Sequence, residues 1–152
     1  MAEQGGADPA PSEDDPGIPN DESVYRRLSD GGPSMIAVDL KTHERRPTSG
    51  AFKPDDDGVS VYRKSKLAAA ALTAADLVRA PQNVVVSLDV GEIRSLAQLG
   101  VHDDPWPRDV DDPEHPRNGA HALIVGWNGL GKNQRIERQR ALTRLPSLRF
   151  II

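Results

Sequence analysis

The stretch HALIVGWNGLGKN, residues 121–133, decides the fold, because it combines a strand, a tight turn and the start of a helix. His121 opens an apolar run of the kind that predicts a buried strand. Three closely spaced glycines follow it and permit a tight turn. Asn133 is a helix-capping residue type, and the segment after it contains no proline until Pro146. We therefore predict a strand, a loop and a final helix that ends near Leu145.

The loop in this stretch has the spacing of a phosphate-binding loop, GxxxxGK, up to its last position. In such loops, backbone amides surround the phosphates and the lysine, here Lys132, reaches the terminal phosphate oxygens. Asn133 stands where a serine or threonine normally holds magnesium. The favoured interpretation is that the glycines only permit a tight turn from strand to helix.

Other apolar runs lie outside this stretch and are separated by turn signals. Strands are predicted at 35–38, 59–62, 84–86 and 148–152. The alanine-rich segment 66–80 predicts a helix that stops before Pro81, and a shorter helix is predicted after Asp89. Because helices and strands are interspersed, the sequence predicts a single small mixed α+β domain.

Residues 1–22 differ in composition from the rest of the chain. They hold seven acidic residues, four prolines and three glycines, and no lysine or arginine. Such a stretch buries too little apolar surface to offset the entropy of ordering it. We predict a disordered acidic tail over 1–22 and one domain over 23–152. The domain has 19 basic and 16 acidic residues, too small an excess to argue for nucleic acid.

Composition excludes several kinds of site. The chain has no cysteine, which rules out disulfides, cysteine-based zinc sites and thiol nucleophiles. No apolar run approaches the roughly 18 residues that a membrane span requires. The first residues lack the basic and apolar regions of a secretory signal. We expect a cytoplasmic protein without a cofactor and without membrane contact.

His121 is the candidate general acid or base, because the ordinary pKa of histidine lies near neutrality. The competing interpretation is a structural histidine at a strand end. The polar loop at 102–119 also carries histidines and carboxylates, and its candidate metal ligands are His102, Asp104 and His115. Their spacing matches no known metal site, so a solvated loop is the favoured interpretation and no metal is predicted.

Basic and hydroxyl side chains between residues 43 and 64 suit recognition of phosphate or carboxylate. The candidates for binding a substrate phosphate are Arg46, Ser49, Lys53 and Ser60, with Lys132 from the glycine-rich loop. The competing interpretation is again a solvated loop. The predicted last helix, 132–144, is basic as well. Its arginines are spread around the helix, and few aromatic residues accompany them for base stacking.

Several short motifs follow one another in a recognisable order: YRR at 25–27, RPTSGAFK at 46–53, GVSV at 58–61 and HALIVG at 121–126. This layout is similar to small uncharacterised bacterial proteins that share an R-P-S-x-x-F, S-V and H-A-x-x-x-G order. The likeness covers residues 24–126. It attaches no activity, but it implies a site near Arg46, Ser49, Phe52, Ser60 and His121.

Three functions are compatible with these patterns. The leading interpretation is a non-catalytic accessory or interaction domain that binds a protein partner. The alternative is an enzyme that acts on a phosphate-containing or nucleotide substrate, with His121 as acid or base and a basic residue on the phosphate. The third is a nucleic-acid-binding module that uses the helix at 132–144. The enzyme hypothesis predicts that His121 and Arg46 share one pocket.

Overall fold

The structure is a computed structural model that describes residues 13–106 and 116–152. Its strands are β1 (Ser23–Leu28), β2 (Ile36–Val38), β3 (Arg45–Pro47), β4 (Val59–Arg63), β5 (Val84–Asp89), β6 (Gly100–Asp103), β7 (His121–Val125) and β8 (Arg149–Phe150). Its α-helices are α1 (Lys64–Ala69), α2 (Val90–Ser95) and α3 (Lys132–Leu142). Short 3₁₀ helices cover Ser49–Phe52, Ala74–Leu77 and Pro116–Ala120.

Six of the strands form one sheet in the order β6-β7-β4-β1-β5-β8, and all neighbours are antiparallel. β2 and β3 pair separately as a short hairpin. The residues of β7 are buried along its whole length, and those of β5 up to its last residue. An antiparallel sheet with such strands must be covered on both faces.

Alternation along the strands divides the apolar side chains into two cores. The larger core holds Val59 and Val61 of β4 with Ala122 and Ile124 of β7, and it packs against α2, α3 and the 3₁₀ helix Ser49–Phe52. The smaller core lies on the opposite face, where Tyr62 and other strand residues meet α1 and the helix Ala74–Leu77. The candidate site lies on this second face, because His121 pairs directly with Tyr62.

The predicted mixed α+β class is confirmed, and the predicted strands at 59–62, 84–86 and 121–125 correspond to β4, β5 and β7. The continuous helix predicted at 66–80 is wrong. The chain leaves α1 through Ala71, which has φ 61°, and restarts as a 3₁₀ helix with a Thr73–Asp76 capping box. Alanine favours helix locally but brings little side-chain burial to hold a long one in place. None of the described helices is long and apolar enough to cross a bilayer.

The packed part of the chain begins earlier than the expected boundary after residue 22. Ile18 is only 1% exposed, and the amide of Asp15 donates to the carbonyl of Val101 at 2.8 Å. The carboxylate of Asp14 accepts from Arg94, and Glu22 is buried against Arg63. These acids have specific cationic partners, which composition alone did not reveal. Residues 1–12 of the predicted tail lie outside the described residues.

Candidate active site

Ser60 and His121 meet on the face of the sheet that carries the smaller core. In the register of β4 and β7, Tyr62 lies opposite His121 and Ser60 lies opposite Leu123. Ser60 and His121 are therefore diagonal neighbours on one face, close enough for side-chain contact. The Oγ atom of Ser60 lies 2.6 Å from Nε2 of His121. The pairing of two strands thus brings together residues that are 61 positions apart in sequence.

The hydrogen bonds around His121 determine which ring nitrogen carries the proton. Nδ1 lies 2.8 Å from the backbone carbonyl oxygen of Asp104 and 3.2 Å from its carboxylate Oδ2. Both oxygens can only accept, so Nδ1 is the donor. In the neutral ring Nε2 is then the acceptor, and the hydroxyl of Ser60 donates to it. A serine–histidine–aspartate triad has the same order of residues, but here the nearer partner of Nδ1 is the backbone carbonyl of the aspartate and not its carboxylate.

Aromatic rings enclose His121, which is 1% exposed. The ring of Trp106 stacks on the imidazole with centroids 3.7 Å apart, and Tyr62 meets it edge-on at 5.5 Å. Burial lowers the pKa of His121 below its ordinary value, although the hydrogen bonds and charge of Asp104 act in the opposite direction. His121 is therefore neutral near pH 7 and able to accept a proton.

The lowered pKa of His121 predicts a specific dependence of stability on pH. Below about pH 6.5, the ordinary pKa of histidine, the unfolded chain takes up a proton at this residue before the folded chain does. The free energy of unfolding therefore falls as the pH is lowered from 6.5 toward the folded-state pKa. We expect the free energy of unfolding of His121→Gln to fall less than that of the wild type as the pH is lowered. Urea unfolding between pH 5 and pH 8 would measure this. His43→Asn, at an exposed turn, should keep the wild-type slope, and identical slopes for all three proteins would contradict the prediction.

A cavity of about 510 Å³ opens beside Ser60. Its walls combine cationic, acidic, polar and apolar residues: Arg26, Arg27, Met35, Gly50, Lys53, Asp55, Ser60, Gln82 and Trp106. The volume lies within the range of about 300–1,000 Å³ that is typical of small-molecule sites. The half-buried Ser60 lines this cavity. Ser60 thus borders the cavity, and its hydroxyl is bonded to His121.

Arg26 fills a gap between two strands at this cavity. β1 and β4 are paired only at Val24–Arg63 and Tyr25–Tyr62. Beyond these pairs the guanidinium of Arg26 donates from Nη1 to the carbonyl of Ser60 and from Nε to the carbonyl of Ala51, both at 3.0 Å. Burial lowers the pKa of Arg26 to about 10, so it keeps its charge at neutral pH. Arg26 thereby fixes the backbone of Ser60.

Arg27 is the second cation at the cavity, and it is only 8% exposed. Its Nη2 donates to the hydroxyl of Tyr62 at 3.0 Å, and its Cζ lies 5.2 Å from the centroid of the Tyr62 ring. Nη1 is buried and has no hydrogen-bond partner among the described residues. Arg27 is therefore held in position while its Nη1 is unused.

The structure separates the candidate phosphate-binding residues. Ser60 and Lys53 line the cavity beside His121, but Arg46 is exposed on β3 and is not among the cavity residues. Ser49 begins a 3₁₀ helix, and its carbonyl accepts from Gln139 at 2.9 Å. The expected pairing of His121 with Arg46 in one pocket is therefore not what the structure shows. Arg26 and Arg27 are the cations that lie at this site.

Lys132 lies elsewhere, at the start of α3, where it is exposed. It borders a separate cavity of about 500 Å³ together with Lys53 and Arg135. In the preceding loop, the amide of Leu130 donates to the carbonyl of Trp127, and the amide of Gly131 donates to the side chain of Gln134. Two of the amides that a phosphate cradle would need are thus bonded within the chain.

The candidate metal ligands do not form a cluster within residues 13–106 and 116–152, where no group of three or more suitable side chains is present. His102 Nδ1 lies 2.9 Å from the carbonyl of Glu13, and Asp104 contacts His121. His115 lies outside the described residues.

Sequence reasoning singled out Ser60 and His121 but missed Arg26, Arg27 and Trp106 as site residues. Arg26 and Arg27 form an adjacent basic pair between apolar residues, and on a strand such a pair sends one charge to each face. That pattern is the signal that could have revealed them.

Comparison of this chain with protein-family models, with curated proteins and with solved structures finds no match.

Proposed function

We propose that this protein is a hydrolase that cleaves an ester or amide bond, with Ser60 as nucleophile and His121 as general base. Asp104 would orient the imidazole through both of its contacts to Nδ1. The observation that carries the proposal is the 2.6 Å contact between Ser60 Oγ and His121 Nε2 at the wall of an open cavity. A nucleophile bonded to a base that a third group orients is the signature of activated serine chemistry.

The proposed reaction has two steps. Ser60 Oγ attacks the carbonyl carbon of the substrate while its proton passes to Nε2 of His121. The bond to the leaving group then breaks, and the leaving group takes that proton, which leaves an acyl group on Ser60. Water attacks the acyl carbon, gives a proton to His121, and releases Ser60, which recovers its proton. Each step restores the neutral imidazole, in agreement with its lowered pKa.

The surroundings of Ser60 support such chemistry. Negative charge develops on the carbonyl oxygen during attack, and the cavity that receives it is lined by Arg26 and Arg27. Preorganised cations near a developing charge are effective where water is excluded. Trp106 and Tyr62 exclude water from the imidazole. The site therefore offers a base, a nucleophile and positive potential in one place.

The proposed hydrolase keeps His121 as the acid or base of the enzymatic interpretation but not Arg46, which lies outside the cavity. An interaction domain would be supported by a large contiguous apolar patch. The large apolar side chains that are exposed among the described residues are few: Val38 and Leu40 at the hairpin, Val78, and Ile151 and Ile152. The contact between Ser60 and His121 at a cavity wall points to a function more specifically than this exposure does.

Covalent trapping tests the proposal directly. We expect a fluorophosphonate probe to label Ser60, as located by peptide mass spectrometry, and Ser60→Ala to abolish labelling. His121→Gln should slow labelling by about 10²–10⁴-fold, the usual contribution of a general base. Ser95→Ala, at an exposed serine of α2, should behave as wild type, and circular dichroism would check that each variant is folded.

A second measurement uses the absence of cysteine from the chain. Ser60→Cys introduces the only thiol, and its alkylation by iodoacetamide reports activation by His121. We expect this thiol to react faster at pH 7 than the thiol of Ser95→Cys, and to lose that advantage when His121→Gln is added. If Ser60 stays unlabelled and its thiol is unaffected by His121, the pair is structural and the hydrolase proposal fails.

A further inference from the structure

We infer that the cavity beside Ser60 binds an anionic group of the substrate, a carboxylate or a phosphate, through Arg27 and Lys53. The inference adds a substrate class to the hydrolase proposed above. It rests on that proposed function only in saying which bond of the substrate is cleaved. The anion site itself is argued from Arg27 and Lys53, neither of which is the proposed nucleophile or the proposed base.

Arg27 has a fixed guanidinium with an unpaired nitrogen, as expected of a residue that binds an anion. Its guanidinium is held over the ring of Tyr62 and bonded to the Tyr62 hydroxyl. Its buried Nη1 has no hydrogen-bond partner among the described residues. A buried charged donor without a partner is costly, so such donors are normally paired. Arg27 lines the cavity, so an anion bound there would lie beside this guanidinium, and a small shift of the side chain would bring Nη1 to an anion oxygen.

The charged residues around the cavity also favour binding of an anion. Its lining carries the cations Arg26, Arg27 and Lys53 and the single carboxylate Asp55. Arg26 already uses Nε and Nη1 on backbone carbonyls, so Arg27 and Lys53 have more capacity for a ligand. Lys53 is exposed and forms no ion pair within the described residues. One fixed guanidinium and one adaptable ammonium suit carboxylate or phosphate oxygens.

The position of the anion site defines the substrate class. Ser60 and Arg27 line the same cavity of about 510 Å³, which has room for a small molecule that spans both. The substrate would therefore be a small acyl compound with a carboxylate or phosphate near the bond that Ser60 attacks. A neutral ester would leave Arg27 Nη1 without a partner, so the site would discriminate against it.

Calorimetric titration of the full chain tests the anion site without any chemical step. The probes are inorganic phosphate, acetate and acetamide, the last having the shape of acetate without its charge. We expect phosphate, acetate or both to bind, and acetamide not to bind. Arg27→Gln should weaken binding at least tenfold and Lys53→Gln severalfold, with Arg27→Lys between them. Arg46→Gln is the matched control, because this exposed arginine lies outside the cavity and should leave binding unchanged.

The outcomes separate this inference from the proposed hydrolase. Binding of phosphate alone or of acetate alone would support the site and identify which anion it prefers. Binding by Ser60→Ala with wild-type affinity would support the anion site even if Ser60 fails the trapping test. No binding by the wild-type chain would overturn the inference, as would equal affinity of the wild type, Arg27→Gln and Lys53→Gln. If Arg27→Gln does not fold, Lys53→Gln is compared with Lys132→Gln, because Lys53 borders both cavities and Lys132 borders only the second. An equal loss of binding in these two variants would place the anion in the second cavity and overturn the inference.

Discussion

Replacing Gly126 with alanine should destabilise the protein by about 2–5 kcal/mol, the sum of about 1–3 for overpacking and about 1–2 for a left-handed backbone. Gly126 has φ 106°, a conformation that residues with a Cβ rarely adopt. A Cβ built there would overlap the carbonyl oxygen of Gln98 and touch the Cα of Leu99. Both contacts are with backbone, which cannot move aside as a flexible side chain can. Urea unfolding monitored by tryptophan fluorescence would measure the loss.

Gly129→Ala is the matched control for this prediction. Gly129 has φ 83°, but a Cβ built there meets no atom within 4 Å. Its substitution should therefore cost only the backbone term of about 1–2 kcal/mol. Equal losses of unfolding free energy in the two variants would show that the close approach of Gln98 to Gly126 adds no cost to the substitution. A clear excess for Gly126→Ala would show that its glycine is required by packing.

The comparison also separates the two interpretations of the glycine-rich loop. A phosphate-binding loop needs its glycines for the approach of a nucleotide. The structure gives Gly126 a different reason, which is the turn from β7 past Gln98 toward α3. We therefore expect the stability loss of Gly126→Ala to appear fully in buffer without any nucleotide. A loss that appears only when nucleotide is present would restore the nucleotide-binding interpretation.

Local patterns made part of the fold predictable. Residues 121–125 form an apolar run followed by glycine, and they form β7 with the predicted bounds. The last helix is also predicted, because a polar segment follows the turn and ends before Pro146. Its cap is Gly131 and not the expected Asn133, and it ends at Leu142 and not near Leu145. In both cases the local sequence signal and the tertiary packing favour the same structure. Such agreement is what makes an element predictable from sequence.

The central strand β1 could not be predicted in this way. It contains Arg26 and Arg27, and two adjacent charges argue against a strand in the middle of a sheet. Their burial depends on distant partners: the carbonyls of Ala51 and Ser60 for Arg26, and Tyr62 for Arg27. Those contacts exist only after the sheet has formed. The same holds for Glu22, whose partner Arg63 lies 41 positions away.

The candidate site shows the same limit. Ser60 and His121 each follow from local patterns, as a hydroxyl on a predicted strand and a histidine at a strand start. Their contact depends on the register of β4 against β7, and a shift by one residue would place Ser60 on the opposite face. Sequence patterns define which residues alternate along each strand. They do not define which residue of one strand lies opposite which residue of the next.

Replacing Arg63 with methionine should cost about 3–5 kcal/mol, the usual loss when one partner of a buried ion pair is removed. Arg63 donates from Nε to Glu22 at 3.1 Å and from Nη1 to Asp103 at 2.7 Å. Burial by itself would lower the pKa of Arg63, but Asp103 and Glu22 more than offset this effect and raise it. Without the guanidinium, the Glu22 side chain, which is 4% exposed, would lose its cationic partner.

Lys66→Met provides the control, because Lys66 contacts the same Asp103 carboxylate at 3.5 Å but is 41% exposed. An exposed ion pair of this kind contributes about 0–1 kcal/mol.

The loss of Arg63 should also affect the candidate site. Asp103 directly precedes Asp104, so the ion pair from β4 to β6 holds the chain that presents its carbonyl and carboxylate to His121. We therefore expect folded Arg63→Met, but not Lys66→Met, to slow labelling of Ser60 by the fluorophosphonate probe. If Arg63→Met loses stability without any change in labelling, the network supports the fold alone and does not position the site.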